Sequence, residues 1–379
     1  MSDIKFSPEE LSRYSRHIII PEFNLEGQKK LKAAKVLVIG SGGLGSPLLL
    51  YLAAAGVGTI GIVDFDTIDD SNLQRQILFT TDDVGKLKAT TAAERIKALN
   101  PFIEVVVHNT QLTSQNALDI IKDYDLVADG TDNFPTRYLV NDACVLLDKV
   151  NVYASIYRFE GQLSVFNLPL PDGTRGPNYR DLFPEPPPPG LVPSCAEGGV
   201  LGVLPGILGS LQAAEVIKVI SKVGEPLNGK LFTIDVADFQ TRTLKIHKQE
   251  GIKIEKLIDY ELFCGIKKET MSSEVKEITV SQLAEWIDSG KEFQLIDVRE
   301  PHEYAIAEIG GILIPLAQVA ENADRISQEK PVVIHCRSGV RSAKAIRELQ
   351  ELHGWDHLYN LKGGILAWAD EIDQAVTKY

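Results

Sequence analysis

The chain has 379 residues, long enough for two domains with full cores on the usual scale of ~100–250 residues each. Its 44% hydrophobic and 24% charged residues are those of an ordinary globular protein; no apolar run approaches the ~20 residues that span a bilayer, and the N-terminus lacks a signal-peptide core. Net charge is −13, from 39 basic and 52 acidic residues with no dense basic stretch, which argues against a nucleic-acid partner, and the four cysteines (Cys144, Cys195, Cys264 and Cys336) fit a reducing cytoplasm better than a disulfide framework.

Ser7-Pro8-Glu9-Glu10 is a capping box with proline at the first helical position, and predicts a helix carrying Arg13 and Arg16 that ends before Pro21. From Lys35 strands and helices alternate: strand 35–40, helix 44–55, strand 59–66, a helix over 87–99 stopped by Asn100-Pro101, then strands 104–108 and 126–129. Such alternation predicts an α/β fold, a mostly parallel sheet with helices on both faces. Strands over 151–157 and 162–167, parted by Phe159-Glu160-Gly161, read as a pair. The proline cluster over 183–193 excludes regular structure and predicts an extended loop. A helix over 207–220 and further strand over 231–246 follow. The polar, unpatterned stretch 267–276 reads as a linker, and a second domain opens with a short helix over 281–288, closed by Gly290.

Gly40-Ser41-Gly42-Gly43-Leu44-Gly45 follows a strand and opens a helix, the context in which a glycine-rich loop lets backbone approach phosphate at a helix N-terminus. Asp64 ends the next strand, 24 positions after Gly40, where a carboxylate can accept from ribose hydroxyls. Both features fit a nicotinamide cofactor or ATP. Ser71-Asn72-Leu73-Gln74-Arg75-Gln76, Lys88 and Asp132-Asn133 separate the two. Hydride transfer needs neither cations on a departing phosphate nor a metal carboxylate, whereas nucleotidyl transfer needs both. Singly, Arg75 and Lys88 could be solvated surface residues and Asp132 a turn residue; as a set they point to phosphate and metal chemistry.

At these residues the chain resembles the ubiquitin-activating-type adenylyltransferases of the molybdopterin and thiamin sulfur pathways, over about 7–265. The resemblance implies a Rossmann-like domain over 1–266 that binds ATP, with the Gly43 backbone and Asp64 on the nucleoside. Asn72, Arg75, Gln76 and Lys88 would contact the phosphates, with Ser71, Leu73, Gln74 and Asn133 in the same site, and Asp132 would be the magnesium ligand. Arg16 matches an arginine contributed across a dimer interface, which implies a homodimer. Cys195, in Pro193-Ser194-Cys195-Ala196-Glu197-Gly198-Gly199, matches a cysteine that some relatives bond transiently to their substrate and others do not need; it could equally be an incidental loop cysteine. Where relatives hold zinc with two Cys-x-x-Cys pairs, this chain has Asn178-Tyr179-Arg180-Asp181 and Glu261-Leu262-Phe263-Cys264. One thiolate of four remains, so no zinc is expected.

The run Val332-Val333-Ile334-His335-Cys336-Arg337-Ser338-Gly339-Val340-Arg341-Ser342 reads as a buried strand delivering Cys336 to the mouth of a helix starting near Ser342. Loop N–H groups, the helix dipole, Arg337 and Arg341 would favour a thiolate or persulfide there. A buried, inert cysteine would not require His, Gly and two Arg around it. Four residues separate Cys336 from Arg341, one fewer than in cysteine phosphatases. The shorter loop resembles that of the rhodanese sulfurtransferases, which hold one extra sulfur as a persulfide. Asp297-Val298-Arg299-Glu300-Pro301-His302-Glu303-Tyr304 and Gly363-Gly364-Ile365-Leu366-Ala367-Trp368 resemble further rhodanese signatures, placing an α/β rhodanese domain over 277–379.

Together the resemblances imply an adenylyltransferase/sulfurtransferase of the molybdopterin-synthase type. Its substrate would be a ubiquitin-like sulfur-carrier protein ending in Gly-Gly, and its sulfur donor a cysteine desulfurase or thiosulfate. The alternatives are an NAD-dependent oxidoreductase with an accessory sulfur domain, a carrier-binding scaffold, or adenylation of a non-protein carboxylate or RNA base.

Overall fold

The computed structural model describes residues 4–187, 198–265 and 275–379, and the chain divides into two compact units, Met1–Glu269 and Thr270–Tyr379. Most of the expected linker therefore lies outside the described residues, and its last residue, Lys276, opens a strand.

The first unit holds an eight-stranded sheet: β1 Lys35–Ile39, β2 Thr59–Val63, β3 Glu104–His108, β4 Leu126–Asp129, β5 Val150–Tyr157, β6 Glu160–Phe166, β7 Lys230–Asp235 and β8 Gln240–Lys245. Their order is β3-β2-β1-β4-β5-β6-β7-β8; the first five are parallel, and the last three join antiparallel. Alternating side chains on β1 serve two cores. Val36 and Val38 pack with Leu48, Leu49 and Leu52 of the helix Gly45–Ala55, while Leu37 and Ile39 join Tyr138 and Leu139 of the helix Phe134–Leu146.

Several local expectations shift. The N-terminal helix is broken into Pro8–Arg13 and Ser15–Ile18 at Tyr14, which is 4% exposed and whose hydroxyl accepts from Asn100 Nδ2 at 2.8 Å. A tertiary contact, invisible in the local pattern, turns the chain there. The strand expected over 231–246 is a hairpin, β7 and β8, with Phe239 at φ +58° before β8. The helix Leu204–Ser221, 18 residues at mean hydropathy 1.2, is long and apolar enough by itself to cross a membrane, against the expectation of no such run. Here it is half buried, with Gln212 and Glu215 buried and hydrogen-bonded inside the unit, as suits a core helix.

The second unit is a five-stranded parallel sheet ordered β11-β10-β12-β13-β9, from β9 Lys276–Ile278, β10 Gln294–Asp297, β11 Ile312–Leu313, β12 Val332–His335 and β13 Leu358–Leu361. The opening helix Val280–Asp288 is capped by Thr279, whose hydroxyl oxygen accepts from the Gln282 N–H. Central β12 is buried at every position, and so is Cys336, which follows it.

Candidate active sites

In the first unit the glycine loop grows out of β1. Gly40 has φ +86°, and a Cβ on Gly45 would sit 2.0 Å from the Gly40 carbonyl oxygen, so this strand-to-helix turn admits no side chain there. Ile39 and Asp129 are in register on neighbouring parallel strands, which brings the loops after β1 and β4 together: a Cβ on Gly40 would lie 3.2 Å from the Gly130 oxygen. The strand order reverses between β1 and β4, the crevice where open α/β sheets bind ligands.

Asp64, just after β2, accepts with Oδ2 from the Ser41 N–H and hydroxyl, each at 2.8 Å, and with Oδ1 from the Asp66 N–H at 3.0 Å. It thus braces the glycine loop from the cavity wall. Lys88 opens the helix Lys88–Leu99, is buried, and pairs with the Asp66 carboxylate at 3.0 Å. Arg75 donates from Nη1 to the Ser71 carbonyl at 3.1 Å. Gln76 is buried, and its Oε1 has no partner. These residues line one cavity with Gly43, Asp132 and Asn133. Asn133 also caps the helix Phe134–Leu146, its Oδ1 accepting from the Thr136 N–H at 3.0 Å.

Other candidates stand elsewhere. Ser71, Asn72, Leu73 and Gln74 are not in the cavity wall; the Ser71 hydroxyl donates to Asp69 at 2.5 Å, and Asn72 Oδ1 accepts from the Asp69 N–H at 3.3 Å. They shape the short turn that leads into Arg75. Arg16 is exposed on the helix Ser15–Ile18 and is also absent from the wall. Cys195 lies outside the described residues. Sequence reasoning missed Thr110, Gln111 and Leu112, which follow β3 and line the cavity. Their only signal was position beyond the carboxyl end of a parallel strand.

In the second unit Cys336 directly follows β12 and faces the helix Val340–His353, which begins two residues before Ser342. Gly339, at φ +92°, donates its N–H to Cys336 Sγ at 3.2 Å, and the Ser342 hydroxyl lies 3.4 Å from the sulfur. That hydroxyl has one proton and a second acceptor, Asn360 Oδ1, at 2.6 Å. The Gly339 amide and the helix N-terminus are therefore the fixed stabilisers of a sulfur anion. Arg341, expected to add charge at the sulfur, is engaged by Glu303 through Nη1 and Nη2, each at 2.6 Å. Burial alone would raise the Glu303 carboxyl, but Arg341 outweighs it and holds the group at about 2. Arg337 donates from Nε to the main-chain oxygen of Tyr379 at 2.6 Å.

The two flanking signatures acquire physical roles. Arg299, fully buried, grips Asp297 with Nε and Nη2 and donates to the Ala307 carbonyl at 2.8 Å. The N–H groups of Ile365 and Leu366 tie down the Cys336 and Arg337 carbonyls at 2.9 and 3.1 Å. A Cβ on Gly364 would lie 2.4 Å from the Cys336 oxygen, so this close approach requires glycine.

Burial pushes the His335 imidazole down to about 4, so it is neutral beside Asp297, 3.7 Å away. An unfolded histidine takes its proton near 6.5, so the unfolded chain binds more protons between the two values, and the second unit loses stability as pH falls from about 6.5 towards 4. All three tryptophans, Trp286, Trp355 and Trp368, lie in this unit. The urea midpoint followed by tryptophan fluorescence falls between pH 7 and 5 in the wild type and moves less in His335→Gln; equal movement in both excludes His335 as the cause.

At the two positions where zinc would be expected in relatives, the side chains bind one another. Arg180 donates from Nε and Nη2 to the Asp142 carboxylate at 2.9 and 2.7 Å and stacks over the Tyr138 and Phe263 rings. Tyr260 donates to the same carboxylate at 2.8 Å, and Asp181 accepts from the Asn178 N–H and Nδ2. Burial pushes the Cys264 thiol up to about 11, away from the thiolate that binds zinc. Arg180→Met leaves Asp142 buried without its ion partner and lowers stability by about 3 kcal/mol. Chemical denaturation measures this, and dialysis against EDTA leaves the wild-type curve unchanged.

Comparison with known proteins finds two families in the one chain. Residues 14–253 match the ThiF family and residues 279–371 the rhodanese-like domain. A Mycobacterium tuberculosis protein named "Probable adenylyltransferase/sulfurtransferase MoeZ" is 51% identical over 98% of this chain and 96% of its own length. The "Sulfur carrier protein adenylyltransferase" of Thermus thermophilus is 51% identical over 70% of this chain and all of its own. The "Adenylyltransferase and sulfurtransferase MOCS3" of Culex quinquefasciatus is 40% identical over 99% of this chain and 91% of its own. Among solved structures, E. coli MccB with succinimide aligns at TM-score 0.56 and 25% identity over 64% of this chain and 74% of that protein. The chain belongs to the ThiF family, among those members that carry a rhodanese-like domain and are named adenylyltransferase/sulfurtransferases.

Proposed function

We propose that the chain adenylates the C-terminal glycine of a ubiquitin-like sulfur-carrier protein and then converts it to a thiocarboxylate. The observation that carries this reading is the presence in one chain of two complementary chemistries. One is a glycine-loop cavity lined by Arg75, Lys88 and Asp132; the other is a cysteine held at a helix N-terminus by a loop amide. The name of the Mycobacterium relative supports the pairing, and that of the Thermus relative supports the first chemistry and its sulfur-carrier substrate.

A peptide carboxylate resists nucleophiles because it is negatively charged and its oxygen is a poor leaving group. In the first step the carrier carboxylate attacks the α-phosphorus of ATP, forming an acyl adenylate and releasing pyrophosphate. Arg75 and Lys88 take up the growing charge on the pyrophosphate, which requires the triphosphate to draw Lys88 from Asp66. Asp132, an exposed carboxylate in a cavity otherwise built for phosphate, fits Mg²⁺, which uses one or two carboxylates and substrate phosphates. The ion would supply further charge neutralisation there.

In the second step a donor such as thiosulfate or a cysteine desulfurase loads Cys336 with one sulfur atom as a persulfide. The terminal persulfide sulfur attacks the acyl carbon and AMP leaves, giving a carrier–Cys336 acyl disulfide. A second thiol, Cys195 or an external one, attacks the Cys336 sulfur. The thiocarboxylate departs, and the remaining disulfide is reduced by external thiol. A homodimer in which each copy lends Arg16 to the other's nucleotide site completes the reading; the exposure of Arg16 is compatible with it. On this reading an adenylyltransferase domain spans 1–266 and a rhodanese domain 277–379.

ATP–pyrophosphate exchange tests the first step. Exchange appears with a carrier ending in Gly-Gly and is lost when the final glycine is removed. Equal exchange with both carriers refutes C-terminal activation.

A further inference from the structure

Arg137 is 6% exposed in the first turn of the helix Phe134–Leu146, five positions after Asp132. Its Nη2 donates to the Thr131 carbonyl at 3.2 Å, and its Nε has no partner. Among the described residues no carboxylate forms an ion pair with it, although buried arginines are ordinarily paired. The Phe134 and Tyr153 rings flank it at 5.6 and 5.9 Å. Asp129 grips the same loop: its Oδ1 accepts from the Thr131 N–H at 3.0 Å and the Thr131 hydroxyl at 2.6 Å. Gln212 fixes the strand end behind, donating to the Asp129 and Val152 carbonyls at 2.8 Å each.

Thr131 is therefore held at its N–H and hydroxyl by Asp129 and at its carbonyl by Arg137. That carbonyl shares a peptide plane with the N–H and Cα of Asp132, so fixing it places the Cα from which the Asp132 side chain departs. Arg137 itself is not in the cavity wall. We propose that Arg137 is a positioning residue for nucleotidyl transfer: it orients the Thr131–Asp132 peptide and places a buried positive charge next to the loop that receives the metal-bound triphosphate. The proposal rests on the reading of Asp132 as the metal ligand.

The test compares Arg137→Gln, Arg137→Lys and Asp132→Asn in the full chain. ATP affinity is measured by calorimetry with Mg²⁺ and with EDTA, and ATP–pyrophosphate exchange is titrated with Mg²⁺. Arg137→Gln raises the Mg²⁺ half-saturation roughly tenfold or more and erases most of the Mg²⁺-dependent gain in ATP affinity, while affinity in EDTA stays within about twofold. Arg137→Lys, which keeps the charge but not the fork, falls between Gln and wild type. A folded Gln variant with wild-type Mg²⁺ dependence overturns the proposal; if the Gln variant does not fold, a folded Lys variant with unchanged Mg²⁺ half-saturation does so. If Asp132→Asn keeps the full Mg²⁺-dependent gain, the metal-ligand reading fails, independently of Arg137.

Discussion

Cys336→Ala abolishes sulfur transfer from thiosulfate to cyanide, by roughly 10³-fold or more, and leaves carrier-dependent ATP–pyrophosphate exchange within about twofold of wild type. In the wild type the Cys336 thiolate attacks the outer sulfur of thiosulfate, sulfite leaves, and cyanide removes the persulfide sulfur as thiocyanate. Only the cysteine sulfur can form that bond. Ser342 is no substitute, because its hydroxyl is bonded to Asn360 Oδ1 at 2.6 Å. The substitution removes a small group from a buried position, and the Gly339 and Ile365 N–H groups that shape the loop remain. Exchange belongs to a separate compact unit with its own sheet and cores. Loss of exchange in a folded Cys336→Ala protein contradicts this division of labour.

Asp132→Ala gives the opposite pattern: exchange falls by ~10²–10³-fold, the size of losing one preorganised electrostatic stabiliser, and thiosulfate–cyanide transfer is unchanged. Asp132 is exposed, while Asp129 and Arg137 hold the loop by the main chain and Thr131, so the fold survives its removal. A variant that retains exchange at saturating Mg²⁺ rules out Asp132 as the metal carboxylate. One that loses sulfur transfer rules out independent units.

Both loops were legible because each is a local strand–loop–helix segment whose backbone requires glycine: Gly45 against the Gly40 carbonyl, and Gly339, whose φ of +92° turns its N–H to the Cys336 sulfur. Such contacts leave a mark in the sequence where they occur. Pairings across long separations leave none. Arg341 reads as a cation for sulfur until Glu303, 38 positions earlier, is seen to hold it. Arg180 and Asp142 are equally far apart, and their ion pair stands where only missing cysteines could be read. The helix Phe134–Leu146 went unpredicted because Asn133 and the preceding aspartate read as ligands, although Asn133 followed by Pro135 is also a helix start. Thr110, Gln111 and Leu112 carry no charge or motif, and only the sheet topology brings them to the cavity.

The central claim is that one chain carries out both halves of a carboxylate-to-thiocarboxylate conversion. Incubating the enzyme with ATP, Mg²⁺, thiosulfate, a reducing thiol and a Gly-Gly carrier, then weighing the carrier intact, tests it most directly. The expected result is a mass gain equal to replacing one oxygen with sulfur, dependent on ATP and absent with Cys336→Ala or Asp132→Ala. A carrier that stays unmodified with wild-type enzyme, or gains sulfur equally with Cys336→Ala, contradicts it.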